Sequence, residues 1–316
     1  MHMLYILNSC KIVMYHYVRP LKQSKYPEIK GLEVEGFLRQ IEYFKNNFHF
    51  ITAEYLLDCI YEEKQVPEKS VLLTFDDGFK DHYSHVFPIL KKYHIQGSFF
   101  PPAKPIEEEV VLDVHKIHFI LASTPNNHEV VKEIFNLINI YRKEHDLQQP
   151  ESYYLNLAVA NRFDTKDVIF IKRILQRDLP KQVRKIITDH LFEKFVKQDE
   201  ESFSRELYLS FEEIREMQEI GMYFGSHGYA HEWLSHLSDE QLDLEIRKSL
   251  DFYSKINGNF DNLIMCHPYG NYSNETIQIL EKNGFKAGLT TTVGDAILTR
   301  SNAFSLQRYD TNDFPQ

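Results

Sequence analysis

The chain has 316 residues, 43% of them apolar and 14% aromatic, enough to bury a full core in one large or two ordinary domains. Its 36 basic against 46 acidic residues give a net charge of -10, and no Lys/Arg-rich block interleaves with aromatics, so nucleic-acid binding lacks its electrostatic footprint. No window approaches ~18 consecutive apolar residues, so no transmembrane segment is expected.

Strand-like and helical patterns alternate along the chain, which predicts an α/β architecture with a largely parallel sheet. Residues 1–7 are apolar, but the stretch is short and lacks a basic flank, so it does not read as a signal peptide. Cys10, Cys59 and Cys266 stand far apart without CxxC spacing, which fits a reducing compartment. A cytoplasmic location is the expectation from these two features. Lys11 to Tyr15 reads as the first strand, followed by a helix from Val34 to Phe44, a short strand from Phe48 to Ile51 and a helix from Ala53 to Tyr61. Val71 to Phe75 is the next strand, and Gly97 to Phe100, closed by Pro101-Pro102, the one after.

From Pro105 to Arg205 the rhythm breaks into a long, charged, helical pattern with apolar stripes at Ile134, Leu137, Ile138 and Tyr141 and at Val168, Ile171, Ile174 and Leu175. This predicts two parts, 1–104 with 206–316 and an inserted helical subdomain over 105–205. Asp113, His115 and His118 in the insertion are ligand types, but on a charged helical stretch they read as a solvated face. Beyond it, Ser210 with Glu213 and Ser238 with Gln241 predict capping boxes for helices from Phe211 and from Asp239. The second carries Leu242, Ile246, Leu250 and Tyr253 on one buried face. Further strands are expected at Met222 to Ser226, Leu263 to Cys266, Lys286 to Thr290 and Ser305 to Arg308.

Three strand ends carry polar chemistry. Thr74-Phe75-Asp76-Asp77-Gly78 ends an apolar run on two adjacent carboxylates, which repel each other and cost several kcal/mol each to bury unpaired, so a cation or a catalytic proton accounts for them. The same residues also read as an Asp-Gly turn capping backbone amides. Ser226-His227-Gly228-Tyr229-Ala230-His231 places two imidazoles four residues apart, on one side of a helical turn, a spacing that lets both reach one divalent ion. Two imidazoles with one carboxylate leave coordination positions open, as a catalytic site needs. Met265-Cys266-His267-Pro268-Tyr269-Gly270 follows a third strand; Pro268 stiffens it, and Tyr269 offers an amide N–H and a phenol at the same mouth, though a plain proline turn has the same pattern.

TFDDG, SHGYAH and HPYG in that order resemble the polysaccharide deacetylases of the NodB-homology class, carbohydrate esterase family 4, over roughly residues 11–104 and 206–310. The resemblance implies a distorted (β/α) barrel with its site at the C-terminal strand ends and a metal-dependent hydrolysis of the acetamide of an N-acetylated carbohydrate. It implies Asp77, His227 and His231 as ligands of a divalent metal, most often Zn2+, Asp76 as the catalytic base and the Tyr269 backbone amide as the oxyanion donor. A related metal-dependent hydrolase of a non-sugar amide or cyclic imide, and an inactive carbohydrate-binding barrel, are the alternatives.

The chain departs from the family pattern at three places. Gly228 follows His227 where Ser or Thr is usual. The Leu-x-His near the C-terminus that supplies the general acid is missing, since no histidine follows His267. Met14-Tyr15-His16-Tyr17-Val18 resembles instead the tyrosine-histidine motif of permuted members related to poly-N-acetylglucosamine deacetylases, which makes His16 the candidate acid. Cys266 stands where an arginine usually orients the catalytic aspartate, and Arg308 is a candidate replacement. Trp233, Asp81 and His82 lie near the motifs, Trp233 reading equally as a wall for a sugar ring and as core.

Overall fold

Val71-Leu72-Leu73 lies in a strand buried at every position, the pattern of a strand covered on both faces rather than one. The computed structural model describes residues 8–62, 64–160, 164–256 and 258–316, so the apolar stretch 1–7 lies outside the described residues. The strands are β1 (Ser9–Tyr15), β2 (His49–Phe50), β3 (Ser70–Asp76), β4 (Ser98–Phe100), β5 (Tyr223–Phe224), β6 (Ile264–Cys266), β7 (Ala287–Leu289), β8 (Ala296–Ile297) and β9 (Tyr309–Asp310).

β3 pairs in parallel with β1, from Lys11↔Val71 to Tyr15↔Phe75, and with β4, from Thr74↔Ser98 to Asp76↔Phe100. β4 pairs in parallel with β5, and β6 with β7. Two isolated parallel bridges, Ser226↔Met265 and Leu289↔Leu306, carry the pairing across the remaining gaps, and β9 returns to β1 at Val13↔Tyr309. These single bridges set a seven-stranded and a two-stranded sheet in one parallel order, the arrangement of a distorted (β/α) barrel. β8 alone is antiparallel, on the first residues of β1. Parallel strands need crossovers, and the helices Val34–Asn47, Ala53–Tyr61, Phe87–Tyr93, Phe211–Glu219, Asp239–Lys255 and Asn274–Lys282 supply them. Both expected capping boxes form, and Ser273 with Thr276 makes a third. The segment expected as a strand over Ser305 to Arg308 instead makes one bridge, at Leu306, and the strand proper falls at Tyr309–Asp310.

The chain forms two compact units. One holds residues up to Pro20, Gly31–Glu109 and Ser204–Gln316; the other holds Leu21–Lys30 and Val110–Phe203. The second is helical, with Ile117, Ile120, Ile134, Ile138, Phe170, Ile174 and Ile187 buried and Tyr26, Phe119 and Phe203 packed edge to face. The solvated face expected at Asp113, His115 and His118 is corrected at His115, which is buried, while Asp113 and His118 are half-buried. His115 and Lys116 are each 1% exposed, and Lys116 is neutralised by Asp189 at 2.5 Å and Glu200 at 2.8 Å, so the charge of this helix points inward because carboxylates meet it there. Among the described residues no helix is long and apolar enough to cross a membrane.

Candidate active site

Parallel order places the C-terminal ends of β1, β3 and β6 at one mouth, and His16, Asp76, Asp77, His227, His231 and Tyr269 belong to the first unit. β3 can end on charge because Asp76, 1% exposed, meets a guanidinium. Arg308 Nη1 donates to Asp76 Oδ1 at 2.9 Å, and Nη2 lies 2.8 Å from Oδ2. The guanidinium is itself fixed, its Nε donating to the Thr290 carbonyl at 2.7 Å and Nη1 to Thr74 Oγ1 at 3.2 Å. Burial on its own would raise the Asp76 carboxyl; the charge of Arg308, with His227 and His16, outweighs it and holds the group below the usual carboxylate range. Arg308 thus reaches the carboxylate in the geometry that guanidinium and carboxylate share, while Cys266 sits fully buried with its thiol pushed up by that burial.

The backbone turns sharply after Asp76. Asp77 and Gly78 take φ of 71° and 62°, left-handed values that aspartate tolerates and glycine favours, and a Cβ on Gly78 would lie 2.6 Å from Pro101 Cβ. The turn sends the two carboxylates to different partners: Asp77 Oδ1 lies 3.6 Å from His227 Nε2 and 3.5 Å from His231 Nε2. The histidines are not on a helix. Gly228 and His231 have φ of 75° and 57°, so the four-residue spacing acts through a loop, which corrects the helical turn expected from the sequence. His227 donates its Nδ1–H to the Cys266 carbonyl at 2.6 Å, which turns Nε2 toward Asp77.

The donor atoms of Asp77, His227 and His231 lie within 4.8 Å of one another, all buried. Ligands ~2.1 Å from one ion at tetrahedral angles stand roughly 3.4 Å apart, so the observed 3.5 and 3.6 Å separations fit a shared divalent ion. Asp76, His227 and Cys266 form a second such group, but Asp76 is already committed to Arg308.

His16 follows β1 and brings Nε2 to 3.9 Å from Asp76 Oδ2, with its side chain 40% exposed and so open to a substrate. Its backbone is held from below: His82, pushed down to about 4 by burial and therefore neutral, donates Nε2–H to the His16 carbonyl at 2.8 Å. His82 is buried, and Asp81 accepts from Arg19 Nε at 2.6 Å. Tyr269 has φ 58° and ψ 10° in the turn after β6, and its ring packs edge-on to His231 at 4.5 Å. Trp233, half-buried, stacks on Tyr269 at 4.2 Å and on His236 at 5.6 Å. His267 is turned away, donating Nε2–H to the Phe304 carbonyl at 3.0 Å. Glu245 is a site residue that no sequence motif contains. Its Oε1 accepts from the amides of Tyr229 and Ala230, between the two histidines. Its place beside Leu242 and Ile246 on the buried face of its helix is the one signal that could have marked it.

The model of the polysaccharide deacetylase family matches residues 63–136 and 187–288, more than half of the chain. The match holds Asp76, Asp77, His227, His231 and Tyr269 and takes in part of the helical unit, while His16 and Arg308 fall outside it. The poly-β-1,6-N-acetyl-D-glucosamine N-deacetylase of Staphylococcus epidermidis is 36% identical over 108 residues, covering 30% of this chain and 37% of that protein. The chain spans about a third or less of the length of the curated relatives it matches. Among solved structures, the Streptococcus pyogenes deacetylase PplD, in complex with acetate, superposes with a TM-score of 0.58 at 18% identity over 96% of this chain and 92% of that one. IcaB from Ammonifex degensii does so at 0.53 and 19% identity, over 90% and 84%.

Proposed function

The chain belongs to the polysaccharide deacetylase family, and from that premise we propose that it hydrolyses the acetamide of an N-acetylated sugar, releasing acetate, with a divalent ion held by Asp77, His227 and His231. The observation that carries this reading is a buried Asp76 paired with Arg308 beside three metal-type donors at the mouth of the strands. When bound, a divalent ion such as Zn2+ supplies Lewis-acid polarisation of the carbonyl and acidifies water.

This chain's residues then divide the proton work. Asp76, kept as carboxylate by Arg308, takes the proton of the attacking water. The Tyr269 amide donates to the carbonyl oxygen as negative charge gathers there, a contribution of roughly 3–4 kcal/mol for a donor of this kind. His16 protonates the departing amine; its exposed imidazole, 3.9 Å from Asp76 at the end of the neighbouring strand, supports that role. The S. epidermidis relative, a poly-β-1,6-N-acetyl-D-glucosamine N-deacetylase, supports β-1,6-linked N-acetylglucosamine as the first substrate to try.

The test is acetate release by Zn2+-loaded protein from β-1,6- and β-1,4-linked N-acetylglucosamine oligomers and from monomeric N-acetylated sugar precursors. Acetate with equimolar free amine, abolished in Asp76→Asn, is the expected result. Folded, metal-loaded protein that releases acetate from none of them, yet hydrolyses a cyclic imide or non-sugar amide, overturns the substrate class.

A further inference from the structure

Glu245 sits in the middle of the helix Asp239–Lys255, 6% exposed, a place where a carboxylate is rarely left without a purpose. Its Oε1 accepts the Tyr229 amide at 2.9 Å and the Ala230 amide at 2.7 Å, two consecutive N–H groups of the loop that joins His227 to His231. The carbonyls of the same loop are taken from another side: the Gly228 carbonyl accepts from the Ala103 amide at 3.2 Å and the Tyr229 carbonyl from the Lys104 amide at 2.8 Å. Lys248, one residue short of a turn further along the same helix, lies 4.5 Å from the centre of the Tyr229 ring. A loop with two left-handed residues has no repeating hydrogen bonds of its own, so these outside partners define its shape.

From this geometry we propose that Glu245 is a positioning residue that sets the spacing of the His227 and His231 imidazoles for their common metal ion. The inference rests on the reading of Asp77, His227 and His231 as metal ligands. It also accounts for Gly228 standing where Ser or Thr is usual. A Cβ at that position would lie 3.0 Å from Glu245 Oε1, and its φ of 75° is one that side chains rarely adopt. Groups that orient ligands from behind typically change metal affinity by ~10–100-fold when lost.

The test is Zn2+ affinity of the apo-protein, measured by competition with a chromogenic chelator, beside the thermal midpoint of the same apo-protein. Glu245→Ala is expected to weaken Zn2+ binding at least about tenfold. Glu245→Gln, which keeps an oxygen acceptor at the same reach, is expected to stay within about threefold of the parent, and Glu245→Asp, shorter by one methylene, to fall near the alanine variant. If Glu245→Ala does not fold, the contrast between Gln and Asp decides. The proposal is overturned if Ala or Asp variants fold and hold Zn2+ as tightly as the parent, or if the midpoint falls while affinity does not. If the parent itself binds no stoichiometric Zn2+, the metal-site reading fails first, and that outcome is distinguishable from the other two.

Discussion

The two carboxylates of Asp76-Asp77 open onto two halves of the site that are built differently. The Asp77 half is made of loops: left-handed Asp77 and His231, Gly228, and a frame of outside hydrogen bonds that hold two imidazoles 3.5 and 3.6 Å from one oxygen. The Asp76 half is made of strands and their ends: His16 just after β1, Thr74 and Asp76 on β3, and Arg308 just before β9. The first half lies within the segments that match the family, and the second draws His16 and Arg308 from outside them. A metal ion tolerates few donor arrangements, so loops must copy its geometry. A carboxylate asks only for a nearby cation and acid, and any strand end at the mouth can present them.

Breaking the loop half should cost most. Asp77→Ala is expected to lose bound Zn2+, by elemental analysis, and with it several kcal/mol of transition-state stabilisation, roughly 10³-fold or more in kcat; unchanged metal content in a folded variant rules out the ligand assignment. On the strand side, His16→Ala should keep the metal and lower kcat by about 10²–10⁴-fold, the range of a general acid. Turnover near that of the parent would remove His16 from the mechanism and leave the amine without this donor.

Arg308→Met tests whether the strand half is held together by one ion pair. Removing the guanidinium leaves burial, the largest influence on Asp76, opposed only by His227 and His16. The Asp76 pKa then rises, so the acid limb of kcat/KM moves to higher pH. The folded protein should also lose about 3–5 kcal/mol, the usual cost of a buried charge left unpaired. The sign for stability agrees: a carboxylate whose pKa is depressed in the fold stabilises above its unfolded value, and that contribution is lost as pH falls. Arg308→Lys keeps the charge without the two-point contact and should shift the limb less. An acid limb that does not move in either variant would separate Asp76 from Arg308.

Much of the loop half was legible because its residues are neighbours in sequence. The apolar run into two aspartates, the HxxxH spacing and the HPYG turn each occupy seven residues or fewer, and each lands at a strand end. What failed there was conformation: the spacing suggested a helical turn, and left-handed φ at Gly228 and His231 has no marker beyond the glycine. On the strand half the missing histidine after His267 pointed to His16, which lies 3.9 Å from Asp76, but Arg308 could be named only as one candidate cation. Its arrival at Asp76 depends on the β9–β1 pairing, a contact between the two ends of the chain that local patterns do not encode. Glu245 and Lys116 were hidden for a similar reason. An acid or lysine on a helix looks solvated until the partner that meets it, an amide pair or two carboxylates, is brought up by distant residues.

The smallest effect is expected from two histidines that flank the halves without joining either. His82 and His267 are each pushed down to about 4 by burial, and each donates Nε2–H to a backbone carbonyl, of His16 and Phe304. As pH falls below an ordinary histidine value of ~6.5, the unfolded chain takes up protons that these two refuse in the fold. Stability therefore declines from about pH 6.5 to about pH 4, each group contributing at most on the order of 1.4 kcal/mol per pH unit. His267→Gln keeps a donor for the Phe304 carbonyl and does not titrate, so it should remove about half of that slope in urea unfolding between pH 6.5 and 4 while leaving kcat/KM near the parent value. If the substitution instead lowers turnover and leaves the slope intact, His267 belongs to the Asp76 half after all, and the division between strand-built chemistry and surrounding packing has been drawn in the wrong place.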